Sequence, residues 1–323
     1  MDKINCGVIG LGWWGKQMSI FILKSHKFSI KYIYDIDLMK AKEIAKEFKC
    51  ATVNSVDDLL KNKNIECVFI FSPNEFHLEH ATKVARAGKH VFLEKPIANN
   101  TNDAKKIAKV CEENGVNLAV GHNVRHYNLF KKVKELIGNG LIGDIVYIDG
   151  NRSRPIGYSI GKESWRFYSS KCNGGPLIQM AIHLLDTVRF VCGLSVDEVK
   201  KISLKKILKT ENDESFGLLI RFNKNQILHV FSSYVTQESF YLNFFGTKGT
   251  LYADVFNGLY IQRVGKFKKG KISFIKNKPE VEEIELFFNS IKLKKVSINP
   301  SVREAIENVD LIERILKQKR LNP

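Results

Sequence analysis

No run of apolar residues in the chain approaches the length that a membrane-spanning helix needs, so helical membrane integration is not expected. Nor is a leader peptide expected, because a strand-like apolar segment begins almost at Met1. The six cysteines (Cys6, Cys50, Cys67, Cys111, Cys172, Cys192) form no C-x-x-C pair, which argues against structural zinc; the expected metal content is none. Scattered through apolar segments, they read as reduced, buried thiols, and the expected compartment is cytoplasmic. Repeats and low-complexity linkers are also lacking, so no flexible tether is expected between domains.

What is present is ample. The 323 residues suffice for two domains, and 44% apolar residues suffice for a large core. The formal net charge is +17, unevenly distributed: residues 1–122 carry 18 basic and 14 acidic side chains, the remainder 33 and 20. Such an excess suits a nucleic-acid surface, an anionic substrate, or a solvated lysine-rich exterior. The third reading fits best. Lys266, Lys268, Lys269 and Lys271 flank a glycine-containing turn and are not interleaved with stacking aromatics, so no nucleic-acid partner is expected.

One stretch organises the rest. Cys6 to Ile9 is apolar enough for a buried first strand; the chain then turns through Gly10-Leu11-Gly12-Trp13-Trp14-Gly15 into a helical pattern. Read as G-x-G-x-x-G, Gly10 allows the tight turn, Gly12 lets the backbone approach a pyrophosphate, and Gly15 lets helix and strand pack closely. The next apolar segment, from Ile30 to Tyr34, ends at Asp35, 20 residues after Gly15. A carboxylate there accepts from both adenosine ribose hydroxyls. Asp37 beside it, with no Arg or Lys immediately following Asp35, disfavours a 2′-phosphate; the expected cofactor is NAD in preference to NADP.

Apolar strands and amphipathic helices alternate through residue 120, which predicts an open parallel sheet. Ligands in such sheets bind at the carboxyl ends of the strands, here Gly10, Asp35, Ser72, Glu94 and Gly121. After that come a helix from Tyr127 to Ile137, a strand from Gly143 to Ser153, an irregular stretch from Arg154 to Gly175, and a helix from Pro176 to Cys192. Alternating segments between Val196 and Phe274 predict a mostly antiparallel sheet, and Ser301-Val302-Arg303-Glu304 predicts the start of a final helix running to about Lys319. The fold class is therefore α/β: a doubly wound Rossmann domain over 1–122 and an α+β domain over 123–300.

Three separated motifs resemble the Gfo/Idh/MocA family of NAD(P)-dependent oxidoreductases: Gly7 to Gly15, Glu94-Lys95-Pro96-Ile97-Ala98, and Gly174-Gly175-Pro176 leading through Gln179 and His183 to Asp186. Ser72-Pro73-Asn74 with His77, and Trp165-Arg166, support the match. The resemblance implies that the 301–323 helix packs back on the first domain and that the open sheet of the second makes homodimers or homotetramers. It assigns Lys95 and His183 to the reacting hydroxyl, Trp165 and Arg166 to the cofactor, and Asn123 and Arg125 to the edge of the active site. His77 is placed by the resemblance near the nicotinamide, with helix capping as the alternative.

Hydride transfer from a carbinol requires the C–H held against the nicotinamide and the O–H proton removed. A lysine ammonium stabilises developing alkoxide charge, and histidine is the natural proton carrier near neutral pH; either could be the formal base. Gln179 lies four residues before His183, on the same side of a helix turn, as a hydroxyl-binding candidate or simply a helix residue with no role. Related sugar and cyclitol dehydrogenases often carry Asp there. Arg152 and Arg154 imply an anionic substrate if they face the cleft, and surface ion pairs if they do not. The expectation is an NAD-dependent dehydrogenase of CH–OH groups in a sugar, sugar acid or sugar nucleotide. A non-catalytic sensor on the same fold, or a reductase of a non-sugar carbonyl, is the alternative.

Overall fold

A computed structural model describes residues 2–293 and 300–318. It divides into two compact units: residues 1–123 with 278–309, and residues 124–277 with 310–323.

In the first unit, β1 (Ile4–Ile9), α1 (Trp13–Lys24), β2 (Phe28–Tyr34), α2 (Leu38–Phe48), β3 (Ala51–Thr52), α3 (Val56–Leu60), β4 (Cys67–Ile70), α4 (His77–Arg86), β5 (His90–Glu94), α5 (Thr101–Glu113) and β6 (Leu118–Gly121) follow in chain order. The six strands are parallel, in the order β3-β2-β1-β4-β5-β6, which is the doubly wound arrangement with its switch point between β1 and β4. Both faces of the sheet are covered, which explains the nearly unbroken apolar runs. Alternate residues sort cleanly. Cys67, Phe69 and Phe92 join one core with Met18 and Ile22 of α1, whereas Val68, Ile70, Val91 and Leu93 join the other with Val84 of α4 and Ile107 of α5. Helix starts are fixed by side chains: the Ser55 hydroxyl accepts from Asp58 N (3.0 Å), and Asn100 Oδ1 from Asp103 N (2.9 Å).

The second unit contains α6 (Asn128–Gly138), β7 (Ile145–Ser153), α7 (Ile182–Cys192), β8 (Val196–Leu204), β9 (Ser215–Phe222), β10 (Ile227–Ser233), β11 (Ser239–Gly246), β12 (Gly249–Asp254), β13 (Gly258–Arg263) and β14 (Gly270–Ile272). Its eight-stranded sheet runs β14-β13-β12-β11-β7-β10-β9-β8, antiparallel apart from the β10–β7 pair. Leu218, Ile220, Leu228, Val230, Leu242 and Phe244 pack with α6 and α7, while Ile202, Leu219 and Ile227 are exposed.

Two departures from the expected domains have physical reasons. Residues 278–300 were assigned above to the second domain, but α8 (Pro279–Lys292) belongs to the first unit: Ile284, Phe287 and Phe288 are buried in the core that covers α1, and Phe287 meets Phe69 edge-on at 5.5 Å. The last helix, α9 (Val302–Leu316), does not pack on the first unit alone. Ala305 and Val309 enter that unit's core, and Leu311, Ile312 and Ile315 enter the core of the second. Its capping box is formed as expected, Ser301 N donating to Glu304 Oε2 (2.9 Å), while Lys319 lies outside the described residues. Among the described residues no helix is long and apolar enough to cross a membrane, and all six cysteines are free. Burial pushes the thiols of Cys111 and Cys192 up to about 12.

Candidate active site

The glycine loop is shaped by contact. Gly10 has φ +91°, and a Cβ there would meet Ser72 N at 2.6 Å; a Cβ on Gly15 would meet Gly10 O at 2.1 Å. A Cβ on Gly12 would meet nothing within 4 Å. Gly12 is also the N-cap of α1, with no capping side chain and no acid in the first turn. Free N–H groups facing open space suit an anion, and the loop therefore fits a dinucleotide pyrophosphate. Trp13 is largely exposed, and Trp14 turns inward.

Asp35 is buried. Its Oδ2 accepts from Leu11 N (2.6 Å) and its Oδ1 from Asp37 N (3.0 Å), so the carboxylate locks the end of β2 to the glycine turn. Asp37 caps α2 by accepting from Lys40 N (3.1 Å). Lys40 Nζ lies 3.5 Å from Asp35, a basic neighbour that a search of the positions immediately after Asp35 misses.

At the ends of β4 and β5, buried His77 ties two loops together: Nδ1 lies 2.8 Å from Pro96 O and Nε2 2.9 Å from Ser72 O. Desolvation pulls its pKa down to about 4, against the pull of those carbonyls. His77 is thus a clamp on the loop carrying Lys95, rather than a cap on its helix. Pro96 follows Lys95 through a cis bond, the Ser72 hydroxyl lies 2.9 Å from His80 Nδ1, and Asn74 Nδ2 donates to Asn99 (3.2 Å). Glu94 accepts from Trp14 Nε1 at 2.9 Å, and Asn123 donates to Glu280 of α8 at 3.0 Å. Pro73 leads into the single 3-10 turn Asn74–Phe76 that precedes α4.

In the second unit the glycine-led segment is not a single α-helix. Gly174 and Gly175 both have positive φ (+92° and +49°), and Leu177–Ala181 is a π-helix that becomes α7 only at Ile182. Gln179 sits in the widened turns and His183 in the first turn of α7. Such π insertions recur at functional sites because they re-aim side chains. Apolar spacing alone does not distinguish them from α-helix.

The arginines need correction. Arg125 has no exposed surface; Nε and Nη2 hold Asp186 at 2.9 and 2.6 Å, so it anchors α7 instead of meeting substrate. Arg152 and Arg154 each pair with Glu238 at 3.1 Å, which removes the ground on which they implied an anionic substrate. The Arg166 guanidinium lies over the Trp165 ring, 4.5 Å from its centroid.

The sequence reading missed Glu280 and Glu283, although Pro279 at a helix start followed by acidic residues is a recognisable signal. No group of three or more metal-ligating side chains gathers among the described residues.

Comparison with known proteins agrees with this geometry. Residues 4–122 match the NAD-binding Rossmann domain of the Gfo/Idh/MocA oxidoreductases, and residues 130–252 a C-terminal domain of the same family. An uncharacterized oxidoreductase of Streptococcus pneumoniae is 30% identical over 79% of this chain and 69% of its own length. The 2,7-anhydro-N-acetylneuraminate hydratase of Escherichia coli is 33% identical over 59% of this chain and half of its own. A levoglucosan dehydrogenase solved with NADH and levoglucosan superposes with a TM-score of 0.87 at 21% identity, covering 98% of both chains. The chain is a member of the Gfo/Idh/MocA oxidoreductase family, with an NAD-binding Rossmann domain.

Proposed function

We propose that the chain is an NAD-dependent dehydrogenase that oxidises a hydroxyl of a polyhydroxylated, sugar-like substrate, with Lys95 and His183 on the reacting hydroxyl. The observation that carries this reading is the exit of β5, where Lys95 precedes Pro96, whose carbonyl is held by buried His77. Beyond the switch point, the ends of β4 to β6 form the nicotinamide half of a doubly wound sheet. A lysine fixed there can act on a substrate carbinol.

The bound nicotinamide supplies hydride acceptance. The chain's own residues do the rest. Gly12 and the start of α1 hold the pyrophosphate, and Asp35 holds the adenosine ribose; Lys40 is engaged by Asp35, so NAD is preferred to NADP. Lys95 Nζ stabilises the developing alkoxide, and the His183 imidazole with Lys95 takes the hydroxyl proton. Gln179 binds a neighbouring hydroxyl. Ser72, Pro73, Asn74, Glu94 and Asn123 shape the nicotinamide end, and the reading adds Trp165 and Arg166 as cofactor-binding residues.

The levoglucosan and anhydro-neuraminate relatives support a carbohydrate substrate. We also propose self-association through the open face of the eight-stranded sheet, where Ile202, Leu219 and Ile227 are exposed. The test of activity is a panel of sugars, anhydro sugars, sugar acids and nucleotide sugars with NAD, followed by absorbance of the reduced cofactor. Reduction with at least one polyhydroxylated compound is expected. Tight NAD binding with no turnover across the panel would favour a sensing role.

A further inference from the structure

Three carboxyl groups act on one another through space around the end of β5. Glu94 closes the strand, and Glu280 and Glu283 stand one turn apart on α8, both influencing it or each other through space. Two of the three have donors: Glu94 takes the Trp14 indole N–H, and Glu280 takes the Asn123 amide. Glu283 has none. It is 5% exposed, and neither carboxyl oxygen has a hydrogen-bond partner. A buried carboxylate without a donor or counter-ion is costly; such a group either stays protonated or waits for a positive charge.

The surroundings decide which charges act on it. From β5 it faces Glu94, and from its own helix Glu280; both disfavour a further negative charge. Lys95 acts on Glu94 in the opposite sense, while Trp14 from α1 and Asn123 after β6 are neutral. Burial and Glu280 together lift Glu94 to about 7, although the residue keeps part of its surface, and burial with both neighbouring acids lifts Glu283 well above the usual carboxylate range. Glu94 therefore exchanges a proton near neutral pH, and the Glu283 beside it favours its protonated form.

The oxidised nicotinamide ring is cationic and the reduced ring is neutral. We infer that the Glu94–Glu283 pair is a charge-matching element for the cofactor, giving up a proton when the oxidised form binds and keeping it when the reduced form binds. The inference rests on the proposed reading of the β5 exit as the nicotinamide end. Gln179, Lys95 and His183 act on the substrate; Glu283 acts on the cofactor's charge. A single linked proton makes the ratio of the two affinities change by up to tenfold per pH unit.

The test is calorimetric titration of the full chain with NAD+ and with NADH between about pH 6 and pH 8. Groups that act on the adenosine and pyrophosphate cancel in the ratio. Affinity for NAD+ relative to NADH should rise about tenfold across that range in the wild type, and by less than about twofold in the double variant Glu94→Gln with Glu283→Gln. Gln matches the neutral acid in shape, so the fold is retained. Near pH 6.5, NAD+ should release close to one proton into weakly buffered solution and NADH almost none. A wild-type ratio that is flat with pH, or an undiminished slope in the double variant, overturns the inference while leaving the dehydrogenase reading intact. Failure of both cofactor forms to bind overturns both.

Discussion

Gly12 and Gly15 do different work, though both belong to one motif. A methyl group on Gly15 would sit 2.1 Å from Gly10 O, in the backbone of the turn itself, whereas one on Gly12 would project into open space. Gly15→Ala should therefore destabilise the chain by about 1–3 kcal/mol, the range for overpacking in a close-fitted core. Gly12→Ala should leave thermal stability nearly unchanged and weaken NAD binding at least about tenfold. Melting curves with an NAD titration separate the two effects; the opposite pattern would mean that Gly12 is the structural glycine. The pattern of the three glycines was legible in the sequence because it is local. The same holds for Ser301 and Asp35. Arg125 was not legible, because its partner Asp186 is 61 residues away and only the fold brings the two together. His77 was half legible. Its place in the motif marked it, but its bonds to Ser72 and Pro96 come from two different loops.

Among the elements, strands and α-helices of the first 121 residues follow their apolar periods closely, since each is buried in a way its own spacing records. Two elements escaped that reading. The π-helix Leu177–Ala181 has the same apolar content as an α-helix, and the two glycines before it, both with positive φ, are the only local hint of irregular entry. Helix α8 carries its apolar residues at Ile284, Phe287 and Phe288 and begins with a proline, so its existence could be read; its return to the first unit could not. The eight-stranded sheet carries a prediction of its own. One face is filled by α6 and α7, while Leu219 and Ile202 on the other are 55% and 67% exposed. Exposed apolar residues on a regular sheet favour pairing between copies. Sedimentation velocity should show a dimer or tetramer at micromolar concentration. Leu219→Lys combined with Ile202→Lys should shift it toward monomer. A wild-type chain that sediments as a monomer would remove this face from the account.

At the scale of the whole molecule, the family and fold were legible because three motifs stand in order along most of the chain. The domain boundaries were not, because the chain crosses back: residues 278–309 complete the first unit and 310–323 the second. The net charge of +17 reads as a solvated, lysine-rich exterior, and Arg152 and Arg154, which offered a case for an anionic ligand, are both paired with Glu238. The central claim is instead that Lys95, delivered by β5 and held by the His77 clamp, acts on the substrate's hydroxyl while the glycine loop holds NAD. The most direct measurement compares wild type with Lys95→Met, reading NAD affinity and turnover of the best substrate in the same preparations. The account predicts unchanged NAD affinity within about twofold and a turnover lower by about 10²–10⁴-fold, the usual contribution of a proton-handling group. A Lys95→Met variant that turns over at the wild-type rate would contradict it.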